Sequence, residues 1–179
     1  MNVKNESNET NLSLLERLIG APMRVSFSAV SNSILAIECV DEMSSLIARI
    51  THRKGQIVEA DQIFNWRNIS DTEEMQITAD VSGDQTTLEI SANYSTMAFF
   101  IFFAVMFSGM FLTAAIGGFA FQPKTSFGLG TIALSGVVIS YLISRMVWGG
   151  FAQKRISELK MLLEYLCDFI EKTDAQEHR

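Results

Sequence analysis

Charge is missing from the middle of this chain. Residues 90–123 contain no Asp, Glu, Lys, Arg or His, residues 125–144 contain none either, and Lys124 alone separates the two stretches. A helix needs about 20 apolar residues to cross a hydrocarbon layer about 30 Å thick, and each stretch reaches that length. Such an absence speaks against a wholly water-soluble chain.

Other scarcities narrow the function. His52 and His178 are the only histidines, and Cys39 and Cys167 the only cysteines. They stand too far apart for zinc-ligand spacing, and one cysteine pair gives no disulfide framework. Buried thiols in a reducing compartment are expected. No Gly-rich phosphate loop and no nucleophile elbow occurs. Before Thr96 there are seven basic and fourteen acidic side chains. That balance offers nucleic acid no basic patch and disfavours docking on anionic lipid headgroups. Residues 1–11 are polar and Asn-rich, and lack the basic start and apolar core of a secretory signal.

What is there begins with a helical hairpin, residues 97–121 and 127–148, joined through Gln122-Pro123-Lys124-Thr125-Ser126. Arg145, Lys154 and Arg155 cluster at and just after the end of the second helix, against Lys124 alone in the link. The positive-inside rule then puts both termini in the cytoplasm. Arg145, Trp148, Lys154 and Arg155 are the expected membrane-interface anchors. Gly109, Thr113 and Gly117 recur every fourth residue in the first helix, and Gly136, Ser140 and Ser144 in the second. Small residues on one face let transmembrane helices approach closely. Packing of the two spans on each other is the first reading, and a homo-oligomer through the same faces the second. Gly117-Gly118 and Gly149-Gly150 read as punctuation at span ends.

Before the hairpin, Leu12, Leu14, Leu15, Leu18 and Ile19 predict a short amphipathic helix ending at Gly20, with Pro22 as a stop. Residues 23–30 alternate as a half-buried strand. Ala36, Val40, Met43, Ile47 and Ile50 predict a helix of about twenty residues starting near Ser31 or Ser33 and ending at Gly55. The competing reading makes 34–40 a strand. Residues 57–66 read as one strand. Met75, Ile77, Ala79 and Val81, then Leu88, Ile90, Ala92 and Tyr94, form a hairpin about Ser82-Gly83-Asp84-Gln85. Beyond Gly149-Gly150, the stripe Ile156, Leu159, Leu163, Leu166 and Ile170 predicts a last helix with an apolar face left to bury. Packing it on the sheet satisfies both.

The expected fold is therefore α+β: a small antiparallel sheet with covering helices, interrupted by a transmembrane helical hairpin. Its parts are a flexible N-terminus with a short helix (1–22), the first part of a cytoplasmic α+β domain (23–96), the hairpin (97–148), the returning helix (149–173) and a frayed tail (174–179).

Some stretches look familiar. Phe64-Asn65-Trp66-Arg67 looks like the aromatic end of a middle strand, and residues 75–81, Gly83 and 86–90 look like a final hairpin. Tyr141-Leu142-Ile143-Ser144-Arg145, then Lys154-Arg155-Ile156-Ser157-Glu158-Leu159 through Leu162-Leu163, resemble a span exit and a grip helix. With the order of elements, these resemble the START-like helix-grip (SRPBCC) superfamily. More narrowly, the chain resembles a poorly characterised bacterial membrane subset with a two-span hairpin before the C-terminal helix. The resemblance covers roughly residues 23–172. It implies the inner membrane as location and lends no catalytic residue.

Candidate chemistry is thin. Thr51-His52-Arg53-Lys54 reads as a solvated helix end, where cations suit the macrodipole. Asp71, Glu73 and Glu74 read as a solvated loop without calcium-ligand spacing. The expectation is a membrane-tethered, non-enzymatic binding module for a small apolar ligand or protein partner, without cofactor or metal. The alternative is a membrane effector whose hairpin oligomerises into a pore or disrupts the membrane on a signal.

Overall fold

The computed structural model describes residues 13–35, 39–60, 63–70, 72–121 and 126–177. In chain order they form α1 (Leu14–Ile19), β1 (Arg24–Ser31), α2 (Val40–Thr51), β2 (Gln56–Ala60), β3 (Ile63–Ile69), β4 (Glu74–Ser82), β5 (Gln85–Asn93), α3 (Ser95–Phe121) and α4 (Ser126–Glu177). The chain divides into two compact units. One combines Arg24–Tyr94 with the chain from Lys154 onward; the other combines Leu12–Met23 with Ser95–Gln153. Helix α4 supplies residues to both.

The first unit is α+β. Its five strands form one antiparallel sheet in the order β1-β5-β4-β3-β2. The β4–β5 hairpin follows directly from period-two alternation. Ser82 pairs with Gln85 across a two-residue turn at Gly83-Asp84, and Ile77 lies opposite Ile90. One face then buries Met75, Ile77, Ala79, Leu88, Ile90 and Ala92, while Asp80, Thr87 and Glu89 stay exposed. Trp66 and Phe64 of β3 and Phe27 and Ala29 of β1 extend that apolar surface. Val40, Met43 and Ile47 of α2 and Leu159, Leu162, Leu163, Leu166 and Ile170 of α4 are buried in the same unit. Lys160 holds its ammonium 5.4 Å from the Phe27 ring. Its long side chain thus covers apolar surface while keeping its charge outward.

The structure departs from the sequence reading in four places. Residues 57–66 are two strands, since Ala60 pairs with Ile63 and the chain reverses between them. Helix α2 starts at Val40 rather than near Ser31 or Ser33, with Cys39 as its cap residue. Thr86 explains the delay, because its hydroxyl donates to the Ser33 carbonyl at 2.7 Å and accepts from Leu35 N–H at 3.0 Å. Those bonds draw the chain along the sheet before it can coil. Ala36, the first residue of the expected stripe, lies outside the described residues. Helix α2 also ends before Gly55, at His52, whose φ of 55° is left-handed. Gly55 serves another need: a Cβ there would collide with the Trp66 indole.

The fourth departure concerns α4, which runs unbroken through Gly149-Gly150 and on to Glu177. The expected punctuation is absent, and the residues assigned to a frayed tail are helical up to Glu177. Glycine weakens a helix by about 1 kcal/mol relative to alanine without forbidding it. At 52 residues the helix has neighbours enough to carry that cost.

The second unit contains α3, the first part of α4, and α1. Both long helices are long and apolar enough to cross a membrane. The most apolar 18 residues within Ser95–Gly117 have a mean hydropathy of 2.3, and only 6% of them are buried. Phe99, Phe100, Phe111, Leu112, Leu134 and Met146 all face outward.

A Cβ at Gly149 or Gly150 would meet nothing within 4 Å. Gly149→Ala and Gly150→Ala are therefore expected to stabilise the protein, each by about 0.5–1 kcal/mol. Urea unfolding of the detergent-solubilised chain measures this. A break at these glycines would instead make both substitutions destabilising.

Candidate functional site

Within the α+β unit, the C-terminal end of α2, the start of β4, the end of β5 and α4 enclose a cleft of about 330 Å³. Such a volume suits a small molecule. Its walls are partly apolar, with Ile50, Met75, Leu159 and Leu162. Its polar lining includes Arg53, Glu73, Tyr94, Arg155 and Glu158.

Local structure aims each polar group. His52 takes the left-handed conformation that ends α2, so the next residue, Arg53, turns off the helix axis. Glu73 is presented by a turn in which Ser70 N–H and Ser70 Oγ both reach the Glu73 carbonyl at 2.9 Å. Its own N–H donates to Ser70 Oγ at 3.2 Å. Glu73 also continues the buried register of β4, two residues before Met75. Tyr94 is the single residue between β5 and α3. Arg155 and Glu158 lie one turn apart on α4 and pair at 2.7 Å.

The central interaction is an ion pair. Arg53 Nη2 donates to Glu73 Oε2 at 2.5 Å, with the Glu73 side chain 2% exposed and that of Arg53 22%. The hydrogen bond to Glu73 holds the Arg53 guanidinium above its ordinary value, against the opposing effect of burial. Burial first, and then the Glu73 charge, push the Tyr94 hydroxyl well above the ordinary tyrosine range, while Arg155 and Arg53 oppose them. Tyr94 is therefore a neutral donor at any physiological pH. Arg53 Nη1 is buried and has no hydrogen-bond partner in the protein. A guanidinium nitrogen shielded from water and left unpaired is costly. An oxygen acceptor brought by a ligand would satisfy it.

Two cations and two carboxylates leave this lining electrically balanced. The chemistry offered is an apolar wall with an unfilled donor. Among the described residues, no group of three or more His, Cys, Asp or Glu side chains is gathered to hold a metal ion. No disulfide joins Cys39 and Cys167. Burial pushes the Cys167 thiol up to about 11.

Arg53 and Glu73 correct the sequence reading, which left both in solvent. The signal was period two: positions 73, 75, 77 and 79 share one face, and three of them are apolar. Of the other carboxylates read with Glu73, Glu74 points outward to an exposed pair with Arg67, and Asp71 lies outside the described residues.

Of the residues expected to pack the helices, Gly109 lies against Ser140 and Gly136 against Thr113 inside the second unit. A Cβ on Gly109 would strike Ser140, one on Gly136 would meet Thr113 at 2.9 Å, and one on Gly117 would strike Ile132. Ser144 donates to the Ser140 carbonyl at 2.7 Å and Thr113 to the Gly109 carbonyl at 2.8 Å. The residues chosen as interface anchors separate. Arg145 and Lys154 are exposed, Trp148 is fully enclosed and stacked on Phe151 at 5.6 Å, and Arg155 lines the cleft. Trp148 therefore faces protein rather than the surroundings.

Two predictions follow from the ion pair and from Tyr94. Arg53→Ala strands a buried carboxylate and is expected to cost about 3–5 kcal/mol in urea unfolding read by Trp66 fluorescence. Arg67→Ala breaks only the exposed pair with Glu74 and costs less than about 1 kcal/mol. For Tyr94 the folded pKa is the raised one. Its contribution to stability is intact below the unfolded value of about 10 and falls away as pH rises above it. Tyr94→Phe should therefore hold its stability better than the parent above about pH 10. Denaturation midpoints measured across that range check this; parallel decline in the two proteins would show the hydroxyl to be unperturbed.

Compared with family models, with curated proteins and with solved structures, the chain matches none.

Proposed function

We propose that this chain is a membrane-tethered binding module. Helices α3 and α4 cross the bilayer as a hairpin, and the α+β unit in the cytoplasm takes a small, largely apolar ligand carrying an oxygen acceptor. The observation that carries this reading is the cleft, with Ile50, Met75 and Leu159 in its wall and Arg53 Nη1 buried beside them without a partner. An apolar body would displace water from the wall, and an acceptor oxygen would complete the guanidinium.

The tether rests on the two apolar helices, whose exposed phenylalanines and leucines are a heavy liability in water. It draws support from the flanking charges, with Arg145 and Lys154 exposed after the apolar stretch. The order of strand, helix, antiparallel strands and returning helix is in keeping with the helix-grip resemblance, on a sheet of five strands. Gly109, Thr113, Gly136 and Ser140 lie against one another inside the hairpin, which favours a tether over assembly through those same faces.

The test uses the full chain. Purified from membranes in mild detergent and examined by native mass spectrometry, the protein should carry a small apolar molecule. Met161→Trp fills the cleft from its exposed edge and should reduce that molecule at least about tenfold with the circular dichroism unchanged. A parent protein without any bound molecule, or equal loading of the variant, would remove the binding reading. Release of the protein from membranes by alkaline carbonate would remove the tether.

A further inference from the structure

Helix α1 is built inside out. An amphipathic helix on a protein surface ordinarily turns its apolar side inward. Here Leu14, Leu15 and Leu18 are 81%, 62% and 49% exposed, while Glu16 is buried beside Ile19. The arrangement is held firmly. Ser13 Oγ accepts from Glu16 N–H at 3.3 Å, and the Glu16 carboxylate accepts from Ser13 N–H and from Met23 N–H, each at 2.8 Å. One buried carboxylate thus clasps both ends of the segment.

The same segment is fastened to α4. The Tyr141 hydroxyl donates to the Leu18 carbonyl at 2.7 Å, and Trp148 Nε1 donates to the Ala21 carbonyl at 3.4 Å. Carbonyls at a helix C-terminus lack intrahelical partners; Tyr141 supplies one to Leu18 in the last turn, and Trp148 holds the chain just past the cap. Gly20 makes the approach feasible: its φ of 91° suits the left-handed cap, and a Cβ there would collide with the Arg145 side chain.

Position along α4 shows what the leucines meet. Tyr141 lies within the last turn of the uncharged stretch, and Arg145 is the first charge after it. Around them Leu142, Ile143, Met146 and Val147 are all exposed. The outward leucines therefore extend an apolar belt already present on α4, at the level where charge resumes, and Arg17 is exposed alongside them. That combination suits the boundary between acyl chains and headgroups.

We infer that α1 is an interfacial foot: its Leu14-Leu15-Leu18 face lies in the headgroup–acyl boundary of the cytoplasmic leaflet. The occupant of this face is lipid. The foot rests on the proposal that α3 and α4 cross the bilayer, and its test separates the two. It gives the tether a third membrane contact and fixes how deep α4 sits.

The experiment places an environment-sensitive fluorophore on the full chain, in a Cys39→Ser background, in vesicles of phosphatidylcholine and phosphatidylglycerol. Cys167 is buried and holds its proton, so at neutral pH it does not compete for the label. Labels go at Leu15→Cys, Leu18→Cys, Phe111→Cys and Glu89→Cys. The foot is supported if labels at positions 15 and 18 shift to the blue and are quenched by lipids brominated near the headgroup, with the label at 89 unchanged. Water-like emission at 15 and 18 beside strong quenching at 111 overturns the foot and leaves the tether standing. Absence of quenching at 111 overturns the tether and the foot with it. Self-quenching at 15 that disappears on dilution in lipid assigns the face to a second copy and also overturns the foot.

Discussion

Two helices in this chain carry side chains outward that water does not solvate well. Each large apolar side chain left in water forgoes roughly 1.5–3 kcal/mol, and α3 and the first half of α4 expose many of them. The other features answer to that constraint. In an apolar medium every backbone group must find its partner within its own segment, which favours uninterrupted helices. In lipid, a helix pair with an apolar outside would have no hydrophobic contrast to hold it together, and close approach of the kind seen at Gly109, Gly136 and Ser140 would take over that role.

The α+β unit obeys the opposite constraint. Its sheet has one apolar face and one wet face, so it needs a cover on one side only. Helix α2 is too short to provide all of it, and the second half of α4 supplies the remainder with Leu159, Leu163, Leu166 and Ile170. Where this cover ends, beside the last turn of α2, the cleft opens and Arg53 meets Glu73. The candidate site is thus a seam of the fold. Its ion pair closes most of the polar groups there and leaves one guanidinium nitrogen for something else.

Much of the fold was legible in the sequence because long or strict patterns dominate it. The uncharged stretches and the Met75–Val81 alternation leave little freedom, and the turn at Gly83-Asp84 fixes the β4–β5 register. What misled were local cues overridden by distant partners. Ser31 and Ser33 have the chemistry of helix caps, yet Thr86, more than fifty residues away, holds the following backbone extended. Gly149-Gly150 have the chemistry of a break, yet the helix on both sides runs through them. The site itself was hardest to see, since Arg53 and Glu73 look like solvent residues singly and become a buried pair only once α2 and β4 are brought together. Leu14, Leu15 and Leu18 were visible as an apolar stripe, but no pattern in the sequence tells which way a short stripe faces.

The division of α4 between the two units has a consequence for how the protein is made. Strands β1 to β5 leave the ribosome before the hairpin, and the residues that cover them leave after it. During that interval the sheet presents Met75, Ile77, Leu88 and Ile90 without their cover, a surface prone to wrong partners. The α+β unit cannot close until the whole of α3 and the first half of α4 have been synthesised. Completion of the core is, in this chain, deferred until both long helices have been made, because α4 is shared by the two units.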